Sequence, residues 1–154
     1  MAIRPGDRYA SLNRRATFDY FIEERIECGM ILHGTEVKSL RQGHASINES
    51  HASQMGGEIW LFNCYVPAYK QSRENHEERR PRKLLLHKKE RNKLIGAIKR
   101  DGITLIPIGI YFNERGIAKL ELGVARGKKK QDKRASEKER DWSRQKSRVM
   151  RGES

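Results

Sequence analysis

The alternating pattern of apolar residues in this 154-residue chain stops near Gly127, and that boundary limits what the chain can fold into. Beyond it the sequence continues with Lys128-Lys129-Lys130 and offers few apolar groups: Ala135, Trp142, Val149 and Met150. These side chains bury too little surface to offset the entropy of ordering the segment alone. The sequence predicts a flexible arm over residues 1–12, a folded body over 13–127, and a basic tail over 128–154 that is disordered in isolation.

The positive charge of the chain is concentrated in that tail. Residues 126–154 hold 12 Lys and Arg against 5 Asp and Glu, a net of +7 out of +13 for the whole chain. Such an excess is typical of a protein that binds a phosphate-rich partner. We expect no membrane partner, because Ile103–Phe112, the longest apolar stretch, is too short to span a bilayer and no lipid-anchor motif is present. The N-terminal residues lack the apolar core of a signal peptide, so we expect a cytoplasmic protein.

The body is predicted to be mainly β. Glycine-containing turns join two pairs of strands, at Gly56-Gly57 and at Asn113–Gly116. The predicted strands are Phe18–Leu32, Ile47–Met55, Glu58–Val66, Ile103–Phe112 and Ile117–Val124. The predicted helices are Thr35–Arg41 and His87–Arg100. In the last strand, Lys119, Glu121 and Gly123 alternate with apolar residues, which predicts one solvent-facing side. Short antiparallel strands with few helices favour an OB-like antiparallel β-barrel with two or three short helices.

Catalytic and metal-binding patterns are missing from the sequence. The segment His76-Glu77-Glu78-Arg79-Arg80 begins like a zinc-protease motif but has Arg80 where the second histidine must stand. Cys28 and Cys64 form no CxxC pair, so both are interpreted as reduced thiols in the core. We therefore expect a protein that is not an enzyme and that requires no cofactor and no metal.

Two basic segments adjoin aromatic or apolar residues and are the candidate RNA contacts. In Asn13–Tyr20, arginine side chains can bind phosphates while aromatic rings stack on bases. In Arg79–Lys89, basic residues bracket three consecutive leucines. For the first segment the alternative is a solvated N-terminal arm followed by a core strand. For the second, the alternative is that all three leucines belong to the core and the charges only face water. Lys38 and Arg41 share one helical face, and either contact RNA or balance Glu36.

The order and spacing of several segments resemble the SsrA-binding protein (SmpB) family. They are Asn13–Glu24, Gly34–Arg41, Pro81–His87, Leu120–Lys129, and the tail motifs Asp132-Lys133-Arg134 and Lys138–Trp142. The resemblance implies a monomer that binds the tRNA-like domain of transfer-messenger RNA (tmRNA) and brings it to stalled ribosomes for trans-translation. It also implies that the tail enters the decoding site and the empty mRNA channel and becomes helical there.

The resemblance implies individual roles as well. The RNA-binding residues would be Asn13, Arg14, Arg15, Tyr20, Glu27, Lys83, Leu85, Arg126 and Lys128. The ribosome-binding tail residues would be Asp132, Lys133, Arg134, Lys138, Arg140, Trp142, Arg144 and Arg148. Phe18 and Gln131 depart from the family pattern. Two alternatives are a general OB-fold RNA-binding protein and a ribosome-associated protein, both without specificity for tmRNA. A third is an RNA-processing enzyme, for which the sequence shows no catalytic site.

Overall fold

The computed structural model describes residues 9–126, which form seven strands and three helices. The strands are Ser11–Leu12 (β1), Ile22–Met30 (β2), His51–Met55 (β3), Glu58–Phe62 (β4), Arg82–Leu85 (β5), Ile103–Phe112 (β6) and Ala118–Arg126 (β7). The helices are Ala16–Asp19 (α1), Gly34–Arg41 (α2) and Lys88–Asp101 (α3). No helix within this part of the chain is long and apolar enough to cross a membrane.

All seven strands belong to one antiparallel sheet that closes on itself. Their order is β1-β6-β3-β4-β5-β2-β7, and β6 also pairs with β7. Such closure satisfies backbone groups that the edges of an open sheet would leave unpaired. The prediction of a mainly β, barrel-like body with a few short helices is confirmed.

The interior of the barrel holds the main hydrophobic core. Leu40 of α2, Ile59 of β4 and Leu120 of β7 are fully buried there. A second, smaller cluster lies on the outer side of β6 and β7, where Ala16 of α1 packs with Ile106 and two further residues, Ile108 and Ala125. The N-terminal segment therefore covers a face that a strand pattern alone leaves exposed.

The prediction that one side of β7 faces solvent is wrong, because the N-terminal segment covers that side. Glu121 and Gly123 are both buried. The Glu121 carboxylate accepts hydrogen bonds from Arg25 Nη1 and from the Tyr9 hydroxyl, both at 2.8 Å. These partners allow a charged group to be buried within the sheet.

Turn positions were predicted better than strand boundaries. Gly56 and Gly57 have φ of +61° and +78°, so the glycine pair forms the predicted hairpin turn. The predicted strand from Phe18 to Leu32 is wrong at its start, because α1 occupies Ala16–Asp19 and β2 begins at Ile22. Strand β5 was not predicted.

Both cysteines are free and buried, as predicted. Burial raises the pKa of the Cys28 thiol to about 12 and that of the Cys64 thiol to about 11. The two thiols are therefore neutral at physiological pH.

Candidate nucleic-acid interface

The first group of predicted RNA contacts lines one groove beside the N-terminal segment. Asn13, Arg14, Arg15 and Tyr20 border a cavity of about 780 Å³, together with the loop before β3 and the start of β6. The groove forms because the segment before α1 runs along β6. The backbone N–H of Asn13 donates to the carbonyl of Ile108 at 2.8 Å.

Within the groove, the polar side chains are held to different degrees. Asn13 Nδ2 donates to the carbonyl oxygen of Pro107 at 3.2 Å, so this amide also anchors the segment. Arg14 is exposed. The Arg15 side chain is 75% exposed and lies 4.0 Å from Asp19, one helical turn later. Both guanidinium groups can therefore reach a phosphate without giving up a strong internal contact.

Two aromatic rings project next to these arginines. Phe18 is 81% exposed and Phe21 is 62% exposed, which is unusual for large apolar side chains. The position of Phe18 on α1 rather than on a core strand explains its exposure. Phe18 lies in the segment Asn13–Tyr20, whose aromatic rings are predicted to stack on bases, and its exposure makes the ring accessible for such a contact.

A second group of polar residues lies on the outer face of β2, β7 and β6. Glu27 of β2 is exposed and stands directly opposite Glu121 of β7. The hydroxyl of Tyr111 on β6 donates to Glu27 Oε2. The rings of Tyr9 and Tyr111 meet edge to face, with centroids 6.2 Å apart. The predicted RNA-binding carboxylate is thus set in an ordered polar network.

The three consecutive leucines have different environments. Leu84 is buried, Leu86 is partly buried, and Leu85 is 48% exposed. Leu85 lies opposite Gly29 of β2, where its Cβ is 3.2 Å from the position a glycine Cβ would take. Lys83, two residues earlier on the same strand face, has its Nζ 3.6 Å from Glu58 Oε1. The interpretation of the whole triplet as core is therefore wrong for Leu85.

Strand β6 connects the groove to the outer face. Pro107 contacts Asn13, Gly109 lies beneath the Tyr9 ring, and Tyr111 reaches Glu27. Four residues of strand span about 13 Å, so the two groups are neighbours on one side of the barrel. Arg126, also predicted, is exposed at the end of β7, with Nε 3.3 Å from Glu23 Oε2.

The remaining predicted contacts fall outside the described residues. They are Lys128 and the tail residues Asp132, Lys133, Arg134, Lys138, Arg140, Trp142, Arg144 and Arg148. Within residues 9–126, no three His, Cys, Asp or Glu side chains are grouped so as to hold a metal ion.

Comparison with known proteins identifies the family of the chain. The family model for the SmpB protein matches residues 10–152. The chain belongs to the SmpB family. It is 61% identical over 140 residues to the SsrA-binding protein of Afipia carboxidovorans, which covers 90% of this chain and 89% of the relative. It is 59% identical over 152 residues to that of Agrobacterium fabrum, covering 98% and 95%.

A solved structure extends the similarity to three dimensions. A chain in the structure named "tmRNA-SmpB: a journey to the center of the bacterial ribosome" is 52% identical and superimposes with a TM-score of 0.62. The match covers 75% of this chain and 82% of that chain. The prediction of the SmpB family is therefore confirmed, and the family model matches nearly the whole sequence.

The alternative interpretation of the second basic segment, Arg79–Lys89, required all of its charges to face water. In this SmpB-family chain they do not. Arg82 is fully buried, and its Nε donates to Glu36 Oε2 at 2.5 Å. Arg80 Nη2 donates to the other oxygen of the same carboxylate, also at 2.5 Å. Glu36 is therefore balanced by these two arginines rather than by Lys38 or Arg41.

Lys38 and Arg41 instead contact aromatic rings. Lys38 Nζ lies 5.3 Å from the centroid of the Tyr69 ring. The Arg41 guanidinium lies 4.4 Å from the centroid of the Phe112 ring. Arg41 Nη2 also donates to a backbone carbonyl, that of Gly116, at 2.8 Å. These contacts give both residues a structural role that sequence spacing did not indicate.

Proposed function

We propose that this chain binds tmRNA and delivers it to stalled ribosomes for trans-translation. Membership of the SmpB family over residues 10–152 carries the proposal. The relatives are named SsrA-binding proteins, and the similar solved structure is named for tmRNA and SmpB in the bacterial ribosome. The alternatives, general RNA binding and ribosome association without tmRNA specificity, have no comparable support.

In this proposal the barrel, of OB-like type, binds the tRNA-like domain of tmRNA in two ways. Arg14 and Arg15 bind phosphates at the groove and fix the register of the RNA, whereas Glu27 and Leu85 contact bases on the outer face. Asn13 and Tyr20 hold the groove in shape and present polar edges to the RNA. Lys83, Arg126 and Lys128 add positive charge around these contacts.

The carboxylate of Glu27 favours binding to unpaired bases over binding to the phosphate backbone. A carboxylate is repelled by phosphates, but it accepts hydrogen bonds from the amino and imino groups of unpaired bases. Leu85 supplies an apolar surface beside it. An interface built this way selects a folded RNA loop over generic RNA.

In this proposal the basic tail, residues 128–154, binds the ribosome. Its basic residues and Trp142 occupy the decoding site and the empty mRNA channel, so that tmRNA enters without a codon. The protein acts as a monomer in the cytosol, where stalled ribosomes occur, and it needs no catalytic group or cofactor.

The salt dependence of tmRNA binding tests the division between phosphate and base contacts. Binding of the full chain to the tRNA-like domain is measured at several salt concentrations. Arg14→Ala should flatten the log–log salt slope by about 0.7–0.9. Leu85→Ala should weaken binding with the slope unchanged, because it removes no charge.

The matched control is Arg73→Ala, an exposed arginine in the segment between β4 and β5. It should leave both slope and affinity near wild type. Equal affinity of the wild-type chain for the tRNA-like domain and for an unrelated structured RNA would contradict the proposal and favour the general RNA-binding alternative.

A further inference from the structure

Glu27 and Glu121 stand directly opposite each other on neighbouring antiparallel strands. Like charges in this position repel, so the fold must hold the two carboxylates apart. Glu121 is buried, with Oε1 bound by Arg25 and Oε2 bound by the Tyr9 hydroxyl. Both oxygens of the buried carboxylate are therefore occupied, and its negative charge is balanced by Arg25.

Glu27 is held differently. Its side chain is exposed, and the Tyr111 hydroxyl donates to Oε2 from β6, on the far side of β7. Among the described residues, Glu27 Oε1 makes no hydrogen bond. A single donor thus holds one oxygen of the carboxylate, and the other can accept a hydrogen bond from a ligand.

The Tyr111 ring is itself positioned. It meets the Tyr9 ring edge to face, at an interplanar angle of 85°. Tyr9 packs closely on Gly109, where an added Cβ would lie 2.4 Å from Tyr9 Cδ1. The missing side chain at Gly109 therefore lets Tyr9 sit against the sheet, and Tyr9 in turn supports the ring that orients Glu27.

We propose that Tyr111 is a positioning residue that sets the orientation of Glu27 for base recognition in tmRNA. This inference rests on the proposed function, in which Glu27 accepts hydrogen bonds from unpaired bases. An exposed glutamate on a strand samples several rotamers. If one rotamer is already fixed in the free protein, the entropic cost of binding RNA is smaller. Tyr111 acts through Glu27, and its own hydroxyl makes no contact with the RNA.

The test is a double-mutant cycle on the full chain, with affinity for the tRNA-like domain as the readout. Tyr111→Phe removes only the hydroxyl and keeps the ring contact with Tyr9. It should weaken binding by about two- to tenfold, the cost of ordering one side chain that is no longer fixed before binding. In the Glu27→Ala background the same change should alter affinity by less than about twofold.

Two further measurements separate positioning from general damage to the fold. The salt slope should be the same in Tyr111→Phe and wild type, because no phosphate contact is lost. The ratio of affinities for the tRNA-like domain and for an unrelated RNA should fall, since only base recognition is impaired. Tyr65→Phe is the matched control, because it removes a hydroxyl that lies 3.4 Å from a different exposed carboxylate, that of Glu78. It should change neither affinity nor slope.

The outcomes are distinguishable. If Glu27→Ala weakens binding but Tyr111→Phe does not, the positioning role is wrong and the proposed function stands. Equal losses from Tyr111→Phe with and without Glu27 would show that Tyr111 contacts the RNA directly. If Glu27→Ala has no effect while Arg14→Ala does, the base-reading role of Glu27 fails, and the positioning role of Tyr111 fails with it.

Discussion

Replacing Glu36 by Gln removes the negative charge from the most deeply buried ionic cluster among the described residues. The Glu36 carboxylate is fully buried and accepts hydrogen bonds from Arg80, Arg82 and the backbone N–H of His33. Arg82 is also fully buried, and its Nη1 donates to the carbonyl oxygen of Cys64 at 2.6 Å. The cluster joins α2, β5 and the segment that precedes β5.

The expected cost follows from what remains after the substitution. Glutamine keeps the size of the side chain, but its amide nitrogen would face a guanidinium, a donor against a donor. Arg82 would be left as a buried charge without a counterion, which costs about 3–5 kcal/mol. For a body of this size, that loss lowers the melting temperature by about 10–20 °C.

The pH dependence of stability gives a second readout. Burial alone would raise the pKa of Glu36, but hydrogen bonds from Arg80, His33 and Arg82 together with the charge of Arg82 lower it below its usual 4.5. Because the pKa of Glu36 is lower in the folded than in the unfolded protein, ionised Glu36 stabilises the fold at any pH above its unfolded-state pKa. This stabilisation is lost as the pH falls through the folded-state pKa. Below about pH 4.5, Glu36→Gln should therefore lose less stability than wild type.

Thermal melts followed by circular dichroism between pH 3 and pH 7 measure both effects. Glu49→Gln is the matched control, because Glu49 pairs with Arg79 at 3.8 Å and its side chain is 75% exposed. Exposed pairs contribute less than about 1 kcal/mol, so its melting temperature should hardly change. A Glu36→Gln melt within a few degrees of wild type at pH 7 would refute the reasoning about the buried cluster.

Three further predictions concern the outer face, the thiols and the tail. Gly109→Ala should lower stability by about 1–3 kcal/mol in chemical denaturation, because the new Cβ would collide with the Tyr9 ring; an unchanged midpoint would show that the ring moves freely. At pH 8 both buried thiols should resist a disulfide reagent until the protein unfolds, because their pKa values are about 12 and about 11. Trp142→Ala should leave tmRNA affinity intact and abolish tagging of stalled chains, and normal tagging would contradict the assignment of the tail to the ribosome.

Local patterns in the sequence determined the parts of the fold that depend on few neighbouring residues. The Gly56-Gly57 turn and the end of α3 at Gly102 each follow from backbone preferences within one segment. The family could be identified in the same way, because an ordered series of short segments is a property of the chain itself. Arg14 and Arg15, which the sequence predicts as RNA contacts, are exposed in the structure, although helix α1 beside them was not predicted.

Tertiary structure alone decided which charges are buried and which side chains meet. Arg82 and Glu36 lie 46 positions apart in the chain, and Tyr111 and Glu27 lie 84 apart. Nothing in the local sequence distinguishes the buried Arg82 from the partly exposed Arg80 and Lys83 in the same basic segment. The strand β5 and the covered face of β7 were missed for the same reason. Strand pairing and burial depend on contacts between distant segments, so the sequence of one segment does not determine them.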